Sequence, residues 1–129
     1  MEVTMHKLRK PWLALGWLWV ATVVYLSLIP NPPETVRFPG VDKLQHALAY
    51  GLLMLWFCQM YVHRQQRLVV TALLIALGIA VEFMQETTGY RYFEFTDMLA
   101  NAVGVMLGWV WARTGLGNIG CKLEMKFLK

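Results

Sequence analysis

Three short stretches of this 129-residue chain carry residues that could do chemistry. The first is Asp42-Lys43-x-x-His46-x-x-x-Tyr50, where Asp42, His46 and Tyr50 stand at i, i+4 and i+8. The second holds Gly78, Glu82, Gln85 and Glu86, and the third holds Asp97, Asn101, Gly104 and Gly108. On a helix each set falls along roughly one face. A histidine among carboxylates is suited to general acid–base chemistry. Lys43, and Arg91 between the second and third stretches, are cations that could hold a phosphate or another anion. His46, Glu82 and Asp97 are therefore candidate catalytic residues. Asp42, Lys43, Tyr50, Gln85, Arg91 and Asn101 are candidate ligand-binding residues.

Each of these has a plainer role to weigh. Asp42 and Asp97 could cap helix N-termini, where acids are favoured. Glu82 is harder to dismiss, because it falls near a helix C-terminus, where the macrodipole disfavours a negative charge. It needs a proton or a cation, and Arg91 is the expected partner. No nucleophile stands out; Ser27 and Thr96 qualify by position, and neither has a motif around it. Asp42, His46 and Glu82 are metal-ligand types, but one histidine is few for a catalytic zinc site, so no metal or other cofactor is expected. Cys58 and Cys121 are expected to be reduced thiols.

The elements that must position these residues are apolar. Hydrophobic residues make up 57% of the chain and charged residues 16%, against about a quarter charged in a typical soluble domain. Uncharged or nearly uncharged runs cover residues 11–29, about 44–62, 68 to about 86, and about 97–112. A helix needs about 20 residues to cross the hydrocarbon layer. The third run reaches that length only by including Glu82 and Gln85, and the fourth only by including Asp97 and Asn101. Alternating barrel strands of about ten residues are not visible. The first run lacks a small-x-small cleavage site, so it reads as an uncleaved span rather than a signal peptide.

The basic residues then give an orientation. Lys7, Arg9, Lys10, Arg64, Arg67, Arg113, Lys122, Lys126 and Lys129 fall on one side of a four-span topology; Arg37, Lys43 and Arg91 fall on the other. The positive-inside rule puts the richer side in the cytoplasm. The expected fold is thus all-α: a polytopic bundle of four transmembrane helices with both termini inside. Residues 1–10 form a cytoplasmic N-terminus, 11–112 the membrane domain, and 113–129 a basic cytoplasmic tail, either lying on the surface or disordered. The net charge of +4 does not point to nucleic acid, since the basic residues flank apolar segments. In this frame His46, Glu82 and Asn101 each lie about four residues inside an outer helix end, roughly 6 Å deep. Charges inside a span are costly, so the three helices should turn them toward one another in a single network. The cytoplasmic half of the spans reads as nearly bare of polar groups.

Other features read as packing. Gly104-x-x-x-Gly108 lets helices approach closely, and Ala72, Ala76 and Ala80 form a similar stripe. The six tryptophans read mostly as interface anchors or lipid-facing bulk.

The ordered set Asp42-Lys43-x-x-His46-x-x-x-Tyr50, Glu82-x-x-Gln85, Arg91 and Asp97-x-x-Ala100-Asn101-x-x-Gly104-x-x-x-Gly108 resembles the VanZ-like family of bacterial membrane proteins. Ser27-Leu28-Ile29-Pro30 at the end of the first span adds to the resemblance, which covers about residues 11–112. Glu94 is a departure, since an Asp is frequent there. The resemblance implies a multi-pass protein of the bacterial cytoplasmic (inner) membrane and cell envelope. It also implies a link to resistance against teicoplanin, a glycopeptide acting on cell-wall precursors outside the membrane. The reading that follows is a site at the outer leaflet that binds or acts on a membrane lipid or lipid-linked envelope precursor. The alternatives are an accessory protein whose polar cluster only fixes helix packing, and a small proton-linked transporter. Whether the protein is an enzyme, and how many chains assemble, stay open.

Overall fold

The computed structural model describes residues 7–29, 40–89 and 94–127, without the Asp42 side chain. These residues are helical almost throughout, with no strand among them. Four long helices follow in order: α1 (Arg9–Leu28), α2 (Val41–Cys58), α3 (Arg64–Thr87) and α4 (Phe95–Ala112). A 3₁₀ turn over Gly115–Asn118 and a short helix α5 (Ile119–Phe127) complete the chain. Apolar runs become helices because a helix closes its own backbone hydrogen bonds. Their ends carry the expected punctuation. Gly40 precedes α2 with φ +82°, and Gly89 follows α3 with φ +81°, both in the left-handed region that glycine enters without strain. At the start of α3 the Gln66 side chain reaches back to the His63 backbone N–H at 3.4 Å.

Three of the helices, α1, α3 and α4, are long and apolar enough to cross a membrane. α2 falls short of that standard because Asp42, Lys43, Gln45 and His46 crowd its first turns. It nonetheless shares the most extensive interface in the molecule with α4. The two helices run parallel: His46 meets Asn101, Ala47 faces Gly104, and Gly51 faces Gly108. Their backbones approach so closely that a methyl group on Gly104 or Gly108 would overlap the Ala47 or Gly51 carbonyl. α3 runs antiparallel to α4, with Gly78 against Asn101 near one end and Arg67 against Ala112 near the other.

α1 is the loosest member, with Gly16 its one buried residue. Trp12 and Trp56 hold it to α2. Their rings stack at 4.0 Å, and each indole N–H donates to the other residue's backbone carbonyl, at 3.1 and 2.8 Å. These two tryptophans clasp α1 to α2. The small stripe of α3 differs from its reading as a packing face: Ala72, Ala76 and Ala80 are exposed among the described residues.

The polarity of the interior is inverted relative to a soluble protein. Leu15, Leu18, Leu73, Phe83, Val103 and Val110 are exposed, whereas Gln59, Arg67, Thr71, Glu82, Gln85, Asp97 and Asn101 are buried. Such an arrangement suits a surface solvated by lipid, with polar groups turned inward. A band of apolar side chains (Leu53, Met54, Leu74 and Val105, all 5% exposed or less) separates the buried polar groups at the two ends.

The end of the bundle away from the candidate residues also buries polar groups, Gln59, Arg67 and Thr71, where the sequence read as nearly bare, because α3 begins at Arg64 and takes in Arg67. Arg67 donates from Nε to the Tyr61 carbonyl at 2.9 Å and from Nη2 to the Cys58 carbonyl at 3.0 Å. Its Nη1 lies 3.5 Å from the Ala112 carbonyl. The guanidinium thus satisfies carbonyls that the ends of α2 and α4 leave open. Residues 113–127 also differ from a free tail. Gln59 donates to the Leu116 carbonyl at 2.8 Å and accepts from the Gly120 N–H at 3.1 Å. Glu124 accepts from the Leu8 N–H at 2.7 Å, and Cys121 is buried. α5 is therefore folded back against the end of the bundle.

Candidate functional site

The candidate residues meet at the end of the bundle where α2 and α4 begin and α3 finishes. α4 starts after Glu94 with no side-chain cap, so the capping role weighed for Asp97 is not the one it plays. Asp97 stands instead in the first turn of α4, where the dipole favours a carboxylate, and is 6% exposed. It accepts an ion pair from Lys43 of α2, and Lys43 also pairs with Glu94.

One turn further in, the His46 Nδ1 lies 3.1 Å from the Asn101 side-chain oxygen. With Nδ1–H donating to that oxygen, Nε2 is the basic nitrogen, and it faces the Asp97 carboxylate at 3.8 Å. That is too long for a hydrogen bond. Asn101 can seat here because α3 carries Gly78 opposite it. A Cβ there would come within 3.0 Å of the Asn101 amide nitrogen.

Glu82 of α3 is 1% exposed and accepts the Glu94 backbone N–H at 2.6 Å. A chain of contacts thus runs Asn101, His46, Asp97, Lys43, Glu94, Glu82. Tyr50 lies one turn below His46 on the same face of α2 and is 2% exposed. Its hydroxyl has no hydrogen-bond partner among the described residues, a rare condition for a buried polar atom.

Gln85 points elsewhere. Its amide donates to the Ser27 carbonyl at 2.7 Å, tying α3 to α1. The Ser27 hydroxyl donates to the Val23 carbonyl of its own helix at 2.6 Å, and Thr96 is exposed. Arg91 and its expected pairing with Glu82 lie outside the described residues, as does the Asp42 side chain. Glu94 was absent from the candidate set, although it marks the departure from the frequent Asp. Its side chain engages Lys43 and its backbone engages Glu82, a double role that nothing in its spacing signals. Among the described residues no group of three His, Cys, Asp or Glu side chains is placed to hold a metal.

Chemically, the cluster offers one exposed-edge cation, one histidine between an amide and a carboxylate, and a buried phenol with an open hydroxyl. Lys43 is shared between two carboxylates, His46 is held by Asn101 beside Asp97, and the Tyr50 hydroxyl is left to donate a hydrogen bond.

Comparison with known proteins places this arrangement. The chain is similar to an uncharacterized protein of Schizosaccharomyces pombe, at 28% identity over 103 residues. The match covers 78% of this chain and 61% of the yeast protein, so the chain spans less than two thirds of that relative's length. No solved structure matches significantly. The VanZ/LLP1 family profile matches residues 3–116, which takes in all four long helices and every residue of the polar cluster. A multi-pass membrane protein with apolar outer faces and a polar layer at one end of its bundle, this chain belongs to the VanZ/LLP1 family.

Proposed function

We propose that the protein crosses the bacterial cytoplasmic membrane four times, with both termini inside, and holds the phosphate-bearing head group of a lipid or lipid-linked envelope precursor at its polar cluster. The observation that carries this reading is the buried, unpartnered Tyr50 hydroxyl beneath a Lys43–Asp97–His46–Asn101 network. A built polar site with one hydrogen-bonding group left open is what a ligand completes. Lys43 supplies a cation for the phosphate, which takes the place of the exposed Glu94 carboxylate now paired with it. His46 moves a proton if the ligand is transformed, with Asp97 stabilising its charged form. Asn101 orients the ring, and Glu82 fixes the start of α4 through Glu94. Arg91 and Asp42 stay candidate ligand-binding residues by their sequence positions alone. The parallel pairing of α2 with α4 supports α2 as the fourth span, since it runs alongside a helix long enough to cross. The nine-to-three partition of Lys and Arg supports the orientation. Family membership makes a link to teicoplanin resistance the first phenotype to examine, and similarity to a fungal protein favours a ligand available outside bacteria as well.

A second reading has its own support. Gln85 to Ser27 and Glu82 to Glu94 each close a contact between separate segments, as a network serving only packing would. A transporter is disfavoured by the apolar band at Leu53, Met54, Leu74 and Val105, which interrupts any polar path along the bundle.

Extraction of the protein with its surrounding lipid, followed by mass spectrometry of the retained lipids, separates the two main readings. A phosphate-headgroup lipid should be enriched by the native chain and reduced about tenfold by Lys43→Met or His46→Ala. Unchanged lipid retention together with a lowered melting temperature would make the cluster a packing device. Labelling of a cysteine at position 65 from outside intact cells, in a Cys58→Ala, Cys121→Ser background, would overturn the orientation.

A further inference from the structure

The opposite end of the bundle contains a concavity. It lies between the first turn of α3 and the last turns of α4 and has a volume of about 530 Å³. Arg64 and Arg67 of α3 line it, with Arg113 at the end of α4, and Met106, Trp109 and Val110 of α4 form its apolar side. Arg67 is 8% exposed and bonds only to backbone carbonyls. Arg64 and Arg113 are exposed. Among the described residues, none of the three arginines has a carboxylate within ion-pair distance. Three like charges therefore converge on one hollow without a carboxylate partner among the described residues.

The apolar side narrows what would neutralise them. Met106 and Val110 are 48% and 56% exposed and continue from the arginines along the outer face of α4. A free anion would use the guanidiniums and leave that wall uncovered. An amphiphile with an anionic head and an acyl chain would satisfy both. Basic hollows between membrane helices on the cytoplasmic side are suited to anionic lipid head groups, and arginine presents a planar fork matched to a phosphate. We propose that this hollow is a binding site for an anionic phospholipid of the leaflet in which the termini lie, distinct from the polar cluster at the other end. The phosphate sits between Arg64 and Arg113. Arg67 forms the fixed base of the hollow, and one acyl chain lies along Met106, Trp109 and Val110. The site holds α3 to α4 at an end where neither helix offers a carboxylate to do so.

The test uses the full chain in phosphatidylcholine nanodiscs containing increasing fractions of phosphatidylglycerol brominated on its acyl chains. Bromine quenches a tryptophan only at close range. A saturable component of the quenching should appear and should vanish in Trp109→Phe. The Arg64→Gln, Arg113→Gln double variant should need about thirtyfold more phosphatidylglycerol for the same quenching. Both positions are exposed, so the variant keeps the fold. Equal quenching by brominated phosphatidylcholine would overturn the proposal, since the hollow would then be merely apolar. So would displacement of the lipid by inorganic phosphate at millimolar concentration, which would make the ligand a free anion. Lys43→Met, at the far end, should leave the Trp109 component unchanged even if the polar cluster proves to bind nothing.

Discussion

Removing the Arg67 guanidinium while keeping most of its stem, as Arg67→Met does, should destabilise the protein by about 3 kcal/mol. Two of its hydrogen bonds are of full quality, Nε to Tyr61 at 2.9 Å and Nη2 to Cys58 at 3.0 Å. The third, at 3.5 Å, is at the limit and is counted as nothing. A hydrogen bond from a charged donor contributes a net ~1.5–3 kcal/mol, so two contribute roughly 3–6 kcal/mol. Burial of the guanidinium offsets part of this, which brings the expected loss to the lower end. Arg67→Lys keeps the charge, but a single ammonium cannot serve carbonyls on both sides of the 59–61 turn. It should lose about half as much. Thermal unfolding of the purified chain, followed by circular dichroism or by size-exclusion of the soluble fraction, should rank native above Lys above Met. The native-to-Met interval should be about 10 °C. If Arg67→Met melts within a few degrees of the native protein, or above Arg67→Lys, then the guanidinium does not close the helix ends as argued.

Gly104→Val should lower the melting temperature further than Gly89→Ala. The first must push α2 off α4, because its Cβ would overlap the Ala47 carbonyl, whereas the second meets nothing and loses only about 1–2 kcal/mol from its positive φ. Tyr50→Phe should leave stability unchanged or raise it by up to about 1 kcal/mol, since it removes a buried hydroxyl without a partner among the described residues. The same variant should weaken retention of the head-group ligand in the lipid assay. Burial, with the Glu124 carboxylate nearby, pushes the Cys121 thiol above its ordinary value. Maleimide should therefore modify Cys121 more slowly than an exposed thiol at neutral pH. The rate should keep rising at alkaline pH after a free thiol has levelled off, because the thiolate forms only above the raised value. A Cys121 rate equal to that of a model thiol would contradict the docked position of α5.

The sequence alone determined the four helices and five members of the polar layer. Apolar blocks separated by glycine and proline leave few alternatives to helices in lipid. Groups four residues apart on one helix must share its face. The same local logic selected Lys43, His46, Glu82, Asp97 and Asn101, which the structure draws into one chain of contacts. A one-dimensional pattern names a face but does not say what covers it. Ala72, Ala76 and Ala80 have the spacing of a packing stripe and are exposed, while Gly104 and Gly108 have similar spacing and are fully engaged. Gln85 shares its face with Glu82, yet it stands about one turn nearer the end of α3, where its amide meets Ser27 on α1. Arg67 counts as one cation among twelve in the sequence. Only folding brings Tyr61, Cys58 and Ala112, from the ends of two other helices, within reach of its guanidinium. Trp12 and Trp56 are 44 residues apart, and α5 returns to Leu8 across 116 residues. Contacts at such separations depend on the angle and order in which whole helices pack. No window along the chain is long enough to contain that information.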